Sequence, residues 1–258
     1  MEYIIICLAA LLGSGLTLFS GFGLGTILVP VFGLFFPIEI AIMLTAIVHF
    51  LNNIFKLFLL GNKANFHVVL RFGIPAILFA FLGAYVLSKL TTMQPLFDYI
   101  IGKHTFYIMP IKLIIGMVLL FFSLMEIIPK LAKLQFDKKY LPLGGILSGF
   151  FGGLSGNQGA LRAAFLIRSN LSPQTYIATG VVIACMIDIA RLSVYTTTDI
   201  QNLHNKLDYT LLTLATLSAF TGAYFGNKLL KKVTIKRLQN LVAILLIIFA
   251  VLLIIGVI

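Results

Sequence analysis

Apolar residues run almost without interruption along this chain, and short polar or glycine-rich segments divide the runs. Six runs have about the 20 residues that a helix needs to span a bilayer. They cover residues 40–60, 68–90, 111–128, 175–197, 209–230 and 238–258. The pattern therefore predicts an all-α integral membrane protein with these six segments as full crossings.

Two further apolar segments, 3–36 and 140–167, are each interrupted in the middle by a glycine-rich sequence. As one helix, the first would be about 51 Å long. That is longer than a hydrocarbon core of about 30 Å but too short for two full crossings. Glycines favour turned or unwound backbone, so we expect breaks at 20–25 and 154–159. Two geometries remain open: a broken helix that still crosses, or a re-entrant hairpin.

The second half of the chain repeats the first. The polar positions that recur at an offset of 135 are Ser20-Gly21 with Ser155-Gly156, Asn53 with Asp188, and Lys56 with Arg191. Further on, residues 80–85 (AFLGAY) recur as residues 219–224 (AFTGAY), at an offset of 139. Two copies of one design, each with a broken helix and buried charge, are typical of a transporter.

Basic residues favour the hairpin geometry. With two re-entrant hairpins, most basic residues outside the bilayer lie on one face, and the other face has only Lys89, Lys103, Lys112 and Lys206. With two crossing segments, the division is nearly even. The positive-inside rule thus favours hairpins. Each half then has three full crossings, so the predicted halves are inverted: repeat 1 is 1–129, a basic cytoplasmic linker is 130–139, and repeat 2 is 140–258. Both termini are expected to be extracytoplasmic.

Composition supports a membrane protein and excludes several other classes. The chain is 60% hydrophobic and 10% charged, with a mean hydropathy of +1.08 and a net charge of +11. We attribute that charge to cytoplasmic Lys and Arg rather than to nucleic-acid binding. Cys7 and Cys185 have no partner at ligand spacing, so neither a disulfide nor a metal or other cofactor is expected. Residues 1–3 carry no basic region, which argues against a secretory signal peptide.

The two breaks are the candidate substrate site. After each break a short helix is expected to restart near the midplane, where its unpaired N–H groups attract an anion. We expect both helix starts to meet at one anion site. The residues of the breaks assigned to this site are Ser20, Gly21, Gly23, Ser155, Gly156, Asn157 and Gln158. The alternative interpretation is that these glycines only permit a kink or close helix packing.

Ionisable side chains inside the predicted spans add positive potential to this site. Ionisable groups within a membrane usually face a partner or a cavity. We therefore assign Asn53, Lys56, Arg162 and Arg191 to substrate binding. Two alternatives stay open: Lys56 extends toward the headgroups, or Arg191 forms a purely structural pair with Asp188 one turn away.

Two other groups are candidates for proton coupling. Thr45, His49, Asn52 and Lys56 share one face of a helix, so His49 belongs to the polar face. Asp188 is an acid within a predicted span. The alternative for His49 is a hydrogen-bonded core residue.

These motifs, taken in order, resemble the TauE/SafE family of membrane anion exporters. The resemblance is carried by 20–25 followed by Pro30, and by 45–53, 147–156 and 219–224, and it covers essentially the whole chain. It implies a multi-pass protein of the inner cell membrane that transports small sulfur-containing anions such as sulfite or organosulfonates. Its partners are then the anion, the lipid bilayer and, in one possibility, a second copy in a homodimer. The repeat is imperfect, because Gln158 and Ala160 stand where the first half has Gly23 and Gly25.

The expected function is secondary export of a small anion by alternating access. Moving one negative charge outward across an interior-negative membrane gains about 2.3 kcal/mol per 100 mV, so a monoanion needs no coupling ion for export. The alternative is an anion channel that uses the same breaks. An enzyme is not expected, because no nucleophile–base pair or metal-ligand cluster stands out in the sequence.

Overall fold

The computed structural model describes residues 1–20, 23–60, 63–197, 208–229 and 235–258, without the side chains at 18–20, 60, 227–229 and 235–239. Each half begins with two helices separated by a break. These are α1 (Glu2–Ser20) and α2 (Leu24–Gly33) in the first half. The second half has α7 (Leu141–Ser155) and α8 (Gly159–Leu166). Both breaks therefore lie where the glycine-rich sequences predict them.

Three longer helices follow each broken pair. In the first half they are α3 (Ile38–Leu60), α4 (Phe66–Thr91) and α5 (Pro110–Ile127). In the second half they are α9 (Pro173–Thr197), α10 (Tyr209–Leu229) and α11 (Ile235–Ile254). A single turn of helix, α6 (Pro129–Ala132), lies in the connection between the halves. All six predicted spans coincide with these long helices to within a few residues.

Helix length and hydropathy identify a multi-pass membrane protein. Within the described residues, four helices are long and apolar enough to cross a bilayer, namely α3, α4, α5 and α9. Local signals fix two of their starts. The Asn65 side chain caps α4 by accepting from the Val68 N–H at 3.1 Å, and Pro110 begins α5, where its missing N–H costs no helical bond.

An antiparallel hairpin between α4 and α5 is absent from the all-α prediction. Strands β1 (Phe97–Ile101) and β2 (His104–Ile108) are joined by a two-residue turn in which Gly102 has φ +64°. Tyr99 donates a 2.5 Å hydrogen bond to the Ile255 carbonyl oxygen, which ties the hairpin to the end of α11. The signal was a Gly-Lys pair between residues that favour strands.

The two halves pack against each other through several pairs of helices. α1 packs on α10 and α4 on α7, while α5 faces α11 and α3 faces α9. In the α4–α7 interface, glycines of α7 lie directly on backbone of α4. A Cβ added at Gly145, Gly149 or Gly153 would overlap the carbonyl oxygens of Phe72, Ala76 and Ala80, respectively. Small residues that let helix backbones touch are the usual means of helix association in membranes.

Contacts between distant residues define two ends of the helical bundle. At one end, the Tyr3 hydroxyl donates to the Asp208 carboxylate, and Gly33 and Thr91 line one surface cavity with Leu253. At the other end, Lys63 Nζ donates to Gln174 Oε1 at 2.5 Å. The basic connection between the halves lies at this second end, which is called the basic end below.

The glycine contacts predict a clear effect of one added side chain. Gly149→Val should lower the melting temperature in detergent by several degrees, since overpacking a tight contact costs about 1–3 kcal/mol. Leu143→Ala, at an exposed position of the same helix, is the control and should change it little. An unchanged melting temperature for Gly149→Val would contradict the contact with Ala76.

Candidate anion site at the two helix breaks

A cavity of about 190 Å³ lies where α3, α8 and α9 meet the start of α2. Its polar lining consists of Thr17, His49, Asn53, Lys56, Arg162 and Tyr176. Leu166 and Pro173 line it toward the basic end of the bundle. A cavity of this size has room for several waters or for one small anion.

The two breaks touch each other beside this cavity. Gly156 ends α7 with φ +79°, a conformation that glycine adopts without strain. A Cβ added at Gly25, in the first turn of α2, would lie 2.9 Å from the Gly156 carbonyl oxygen. Leu24 and Gly159, the first residues of α2 and α8, both line the cavity. Two helix N-termini, each with a partial positive charge, therefore converge on one space.

A buried acid holds the polar side chains of α3 and α9 together. Asp188 Oδ2 lies 2.6 Å from His49 Nδ1 and accepts from Asn53 Nδ2 at 3.3 Å. Asp188 Oδ1 lies 2.7 Å from Arg191 Nη2 and 3.0 Å from its Nε. All four side chains are buried, and Asp188 and Arg191 have no exposed surface. Asn53 and Asp188, which occupy equivalent positions in the two halves, are thus in direct contact.

Two cations beside the cavity have no acidic partner among the described ion pairs. Arg162 Nη1 donates to Gln158 Oε1 at 2.9 Å. Lys56 is 5% exposed. In the amide orientation in which Asn52 Nδ2 donates to the Ala219 carbonyl oxygen, Asn52 Oδ1 accepts a hydrogen bond from Lys56 Nζ at 3.1 Å. Lys56 therefore points into the protein rather than toward the headgroups. Charge buried without a counter-ion is costly, and an anion in the cavity would offset that cost.

Several buried polar atoms around the breaks have no hydrogen-bond partner in the described structure. They are Thr45 Oγ1, Asn157 Oδ1, Gln158 Nε2 and Arg191 Nη1. A Cβ added at Gly156 would lie 2.9 Å from Arg191 Nη1, and one added at Gly25 would lie 3.7 Å from Thr45 Cγ2. Because buried polar atoms in proteins nearly always have partners, this group requires an explanation.

The structure places the predicted site residues in two shells. The residues that line the cavity are Gly23, His49, Asn53, Lys56 and Arg162. Buried behind them are Ser155, Gly156, Asn157, Gln158, Asp188 and Arg191. Ser155 Oγ donates to the Phe151 carbonyl oxygen at 3.0 Å and so belongs to the end of α7. Gly21 and the side chain of Ser20 lie outside the described residues.

The sequence analysis missed several lining residues, among them Thr17 of α1 and Tyr176 and Gly180 of α9. Tyr176 and Gly180 lie about one turn apart on α9, but neither lies a whole number of turns from Asp188, so the helical pattern held no signal for them. Metal ligation has no support in the described part of the chain, where no group of three His, Cys, Asp or Glu side chains could hold an ion.

Comparison with known families decides the identity of the chain. The family model of the sulfite exporter TauE/SafE matches residues 6–253. The chain belongs to this family. TauE/SafE proteins are membrane transporters, which agrees with the expectation of a transporter rather than an enzyme. Searches of curated proteins and of solved structures each found no match to this TauE/SafE chain.

The buried acid predicts a large stability effect. Asp188→Asn leaves Arg191 as an uncompensated buried cation, which costs about 3–5 kcal/mol and should lower the melting temperature by roughly 6 °C or more. Removing both charges in D188N/R191M should restore much of the loss. Thermal unfolding in detergent measures both variants.

The matched control for this change is Asp137→Asn. Asp137 pairs with Arg168 at 3.0 Å, but both side chains are more than half exposed, so the pair contributes little. A wild-type melting temperature for Asp188→Asn, or equal shifts for the two variants, would contradict the role assigned to Asp188.

Proposed function

We propose that this TauE/SafE protein exports a small sulfur-containing anion, such as sulfite or an organosulfonate, by alternating access across the inner cell membrane. The observation that carries the proposal is the cavity beside the two breaks, with Lys56 and Arg162 on its wall and no acid paired to either in the described ion pairs. Two cations and two helix N-termini around a small space form an environment for an oxyanion.

Charge at this site favours an anion over a cation or a neutral solute. The one acid of the cluster, Asp188, is already engaged by Arg191, His49 and Asn53. Lys56 and Arg162 therefore leave an excess of positive charge in the cavity. A cation would be repelled, whereas a neutral solute would leave the cost of both buried charges unchanged.

Inverted repeats are the architecture that we propose for this site. The helix contacts between the halves support it. In the repeat, α1 is equivalent to α7 and α4 to α10, so a two-fold relation turns the α1–α10 contact into the α7–α4 contact, and both contacts are present. The contact of Asn53 with Asp188 also supports it, since equivalent residues touch only near the axis that relates two repeats. Tyr3 of α1 and Gly33 of α2 lie away from the basic end, as a re-entrant first hairpin requires.

Direction follows from the position of the cavity. The cavity extends toward the basic end, which the positive-inside rule assigns to the cytoplasm. An anion entering there and leaving on the other side moves down an interior-negative potential, by about 2.3 kcal/mol per charge and 100 mV. Both chain termini lie at the opposite end in this proposal.

Flux into or out of proteoliposomes tests the proposal directly. Arg162→Ala should abolish transport of radiolabelled sulfite, because it removes one of the two free cations of the cavity. Arg168→Ala removes an exposed arginine paired with Asp137 and should leave flux unchanged. Undiminished flux with Arg162→Ala would remove this residue from the pathway.

Binding and mode of transport need two further measurements. Thermal shifts of the purified protein with sulfite, thiosulfate, sulfate, sulfonates and carboxylates rank the anions, and we expect the sulfur oxyanions or sulfonates to stabilise most. Single-channel currents in planar bilayers would support the alternative of an anion channel. The contact of Gly25 with Gly156 favours a carrier, because it closes the space between the breaks.

Proton coupling is proposed for His49 with Asp188, whose ring nitrogen and carboxylate oxygen lie 2.6 Å apart at the cavity wall. His49→Gln should retain part of the flux but lose its response to an imposed pH gradient. His67→Gln, at an exposed position near the start of α4, should keep that response. A wild-type response in His49→Gln would contradict coupling through this pair.

A further inference from the structure

The cavity breaks the symmetry between the two halves. Most of its lining residues belong to α8 and α9, among them Arg162 and Gly180. The counterparts of these helices in the first half, α2 and α3, pack directly on each other. Leu28, Val29 and Phe32 of α2 have no exposed surface. The helices α8 and α9 therefore leave an open space beside them, whereas their counterparts α2 and α3 pack together.

The offset of 135 residues assigns each residue that lines the cavity a counterpart in the other half. An offset of 135 pairs three cavity residues with three residues around the second break: Gly23 with Gln158, Lys56 with Arg191, and Gly180 with Thr45. Each of the three counterparts has a buried polar atom without a partner in the described structure. These atoms thus lie where repeat symmetry puts the wall of a second cavity.

Thr45 and Arg191 both lie close to the contact between Gly25 and Gly156. Thr45 Cγ2 lies 3.7 Å from a Cβ built on Gly25, and Arg191 Nη1 lies 2.9 Å from one built on Gly156. Gly25 and Gly156 are in contact between them. The side chains of Thr45 and Arg191 thus flank the point where the start of α2 touches the second break, to which Gln158 also belongs, so separating α2 from that break would open a space with polar walls.

We propose that this point is a second anion site, closed in this structure, that opens between α2 and α3 toward the end opposite the basic one. The inference rests on the proposed function and names the half of the pathway from which the anion leaves. Arg191 occupies the position that Lys56 has in the open cavity, and its Nη1, which lies beside Gly156, donates to the anion. Thr45 and Gln158 supply the other polar contacts.

Charge differs between the two sites in a way that suits export. The open cavity has Lys56 and Arg162 without an acid, whereas Arg191 is paired with Asp188 at 2.7 Å and the counterpart of Arg162 is the apolar Ile27. The second site therefore has less net positive charge. An anion is captured at the more positive site and released from the less positive one.

Side-specific labelling of single cysteines tests the second site. In a background with Cys7 and Cys185 replaced by Ala, Thr45→Cys and Gly180→Cys place a thiol at equivalent positions of the two halves. A cysteine fits at Gly180, where a Cβ meets only Arg162 Nε, at 3.5 Å. A charged, membrane-impermeant thiosulfonate reagent is applied from either side of oriented vesicles.

We expect Gly180→Cys to react from the cytoplasmic side and Thr45→Cys from the opposite side. An outward state populated about one tenth of the time makes the second reaction about tenfold slower than the first. Ile115→Cys, fully buried in α5, sets the background rate. Ala41→Cys, at the counterpart of the cavity residue Tyr176, replaces Thr45→Cys if that variant does not fold.

A reaction of Thr45→Cys at the background rate, or from the cytoplasmic side only, overturns the second site. Sulfite flux in the same vesicles separates this result from the proposed function. Flux without outward labelling leaves anion export standing and removes the second site. Outward labelling without flux of any tested anion supports the second site and overturns the proposed substrate.

Discussion

The cost of holding charge in an apolar medium governs this structure. Asp188 has no exposed surface, and its two oxygens engage a histidine, an asparagine and an arginine from α3 and α9. Without these contacts, the two central helices would each expose an isolated polar group inside the bilayer. The network therefore fixes how α3 and α9 face one another, and that orientation places Lys56 of α3 on the wall of the cavity that Arg162 of α8 also lines.

Much of the fold could be read from the sequence, because the bilayer limits what a chain can do. Each long apolar run had to form a helix, and glycine-rich breaks in runs of unsuitable length had to interrupt one. The β-hairpin at 97–108 was not predicted, because it lies in a connection outside the bilayer-spanning runs, where a chain need not be helical. The only local signal for it was a two-residue turn. Its bond to Ile255 joins residues far apart in the chain, which no local pattern reveals.

The site was predictable in its residue types and not in its geometry. Polar residues within apolar helices pointed to His49, Lys56, Arg162 and Asp188, because such residues are expensive there. The pair of Asp188 with Arg191, one turn apart on α9, was foreseeable as an alternative. The contacts of Asp188 with His49 and Asn53 depend on the packing of α3 against α9 and were beyond sequence reasoning. Tyr176 was overlooked because a tyrosine near the end of a span is ordinary in membrane proteins. Its place in the wall depends on the gap between α8 and α9.

Glycine contacts between the halves have a consequence for how the protein is assembled. α7 rests on the backbone of α4, and α1 rests on that of α10, where Gly15 meets Gly222 and Gly226. Each broken helix pair thus packs through its first helix on a helix of the other half. A half expressed alone would present these glycine surfaces to lipid and leave its broken helix pair without the contact that the other half supplies.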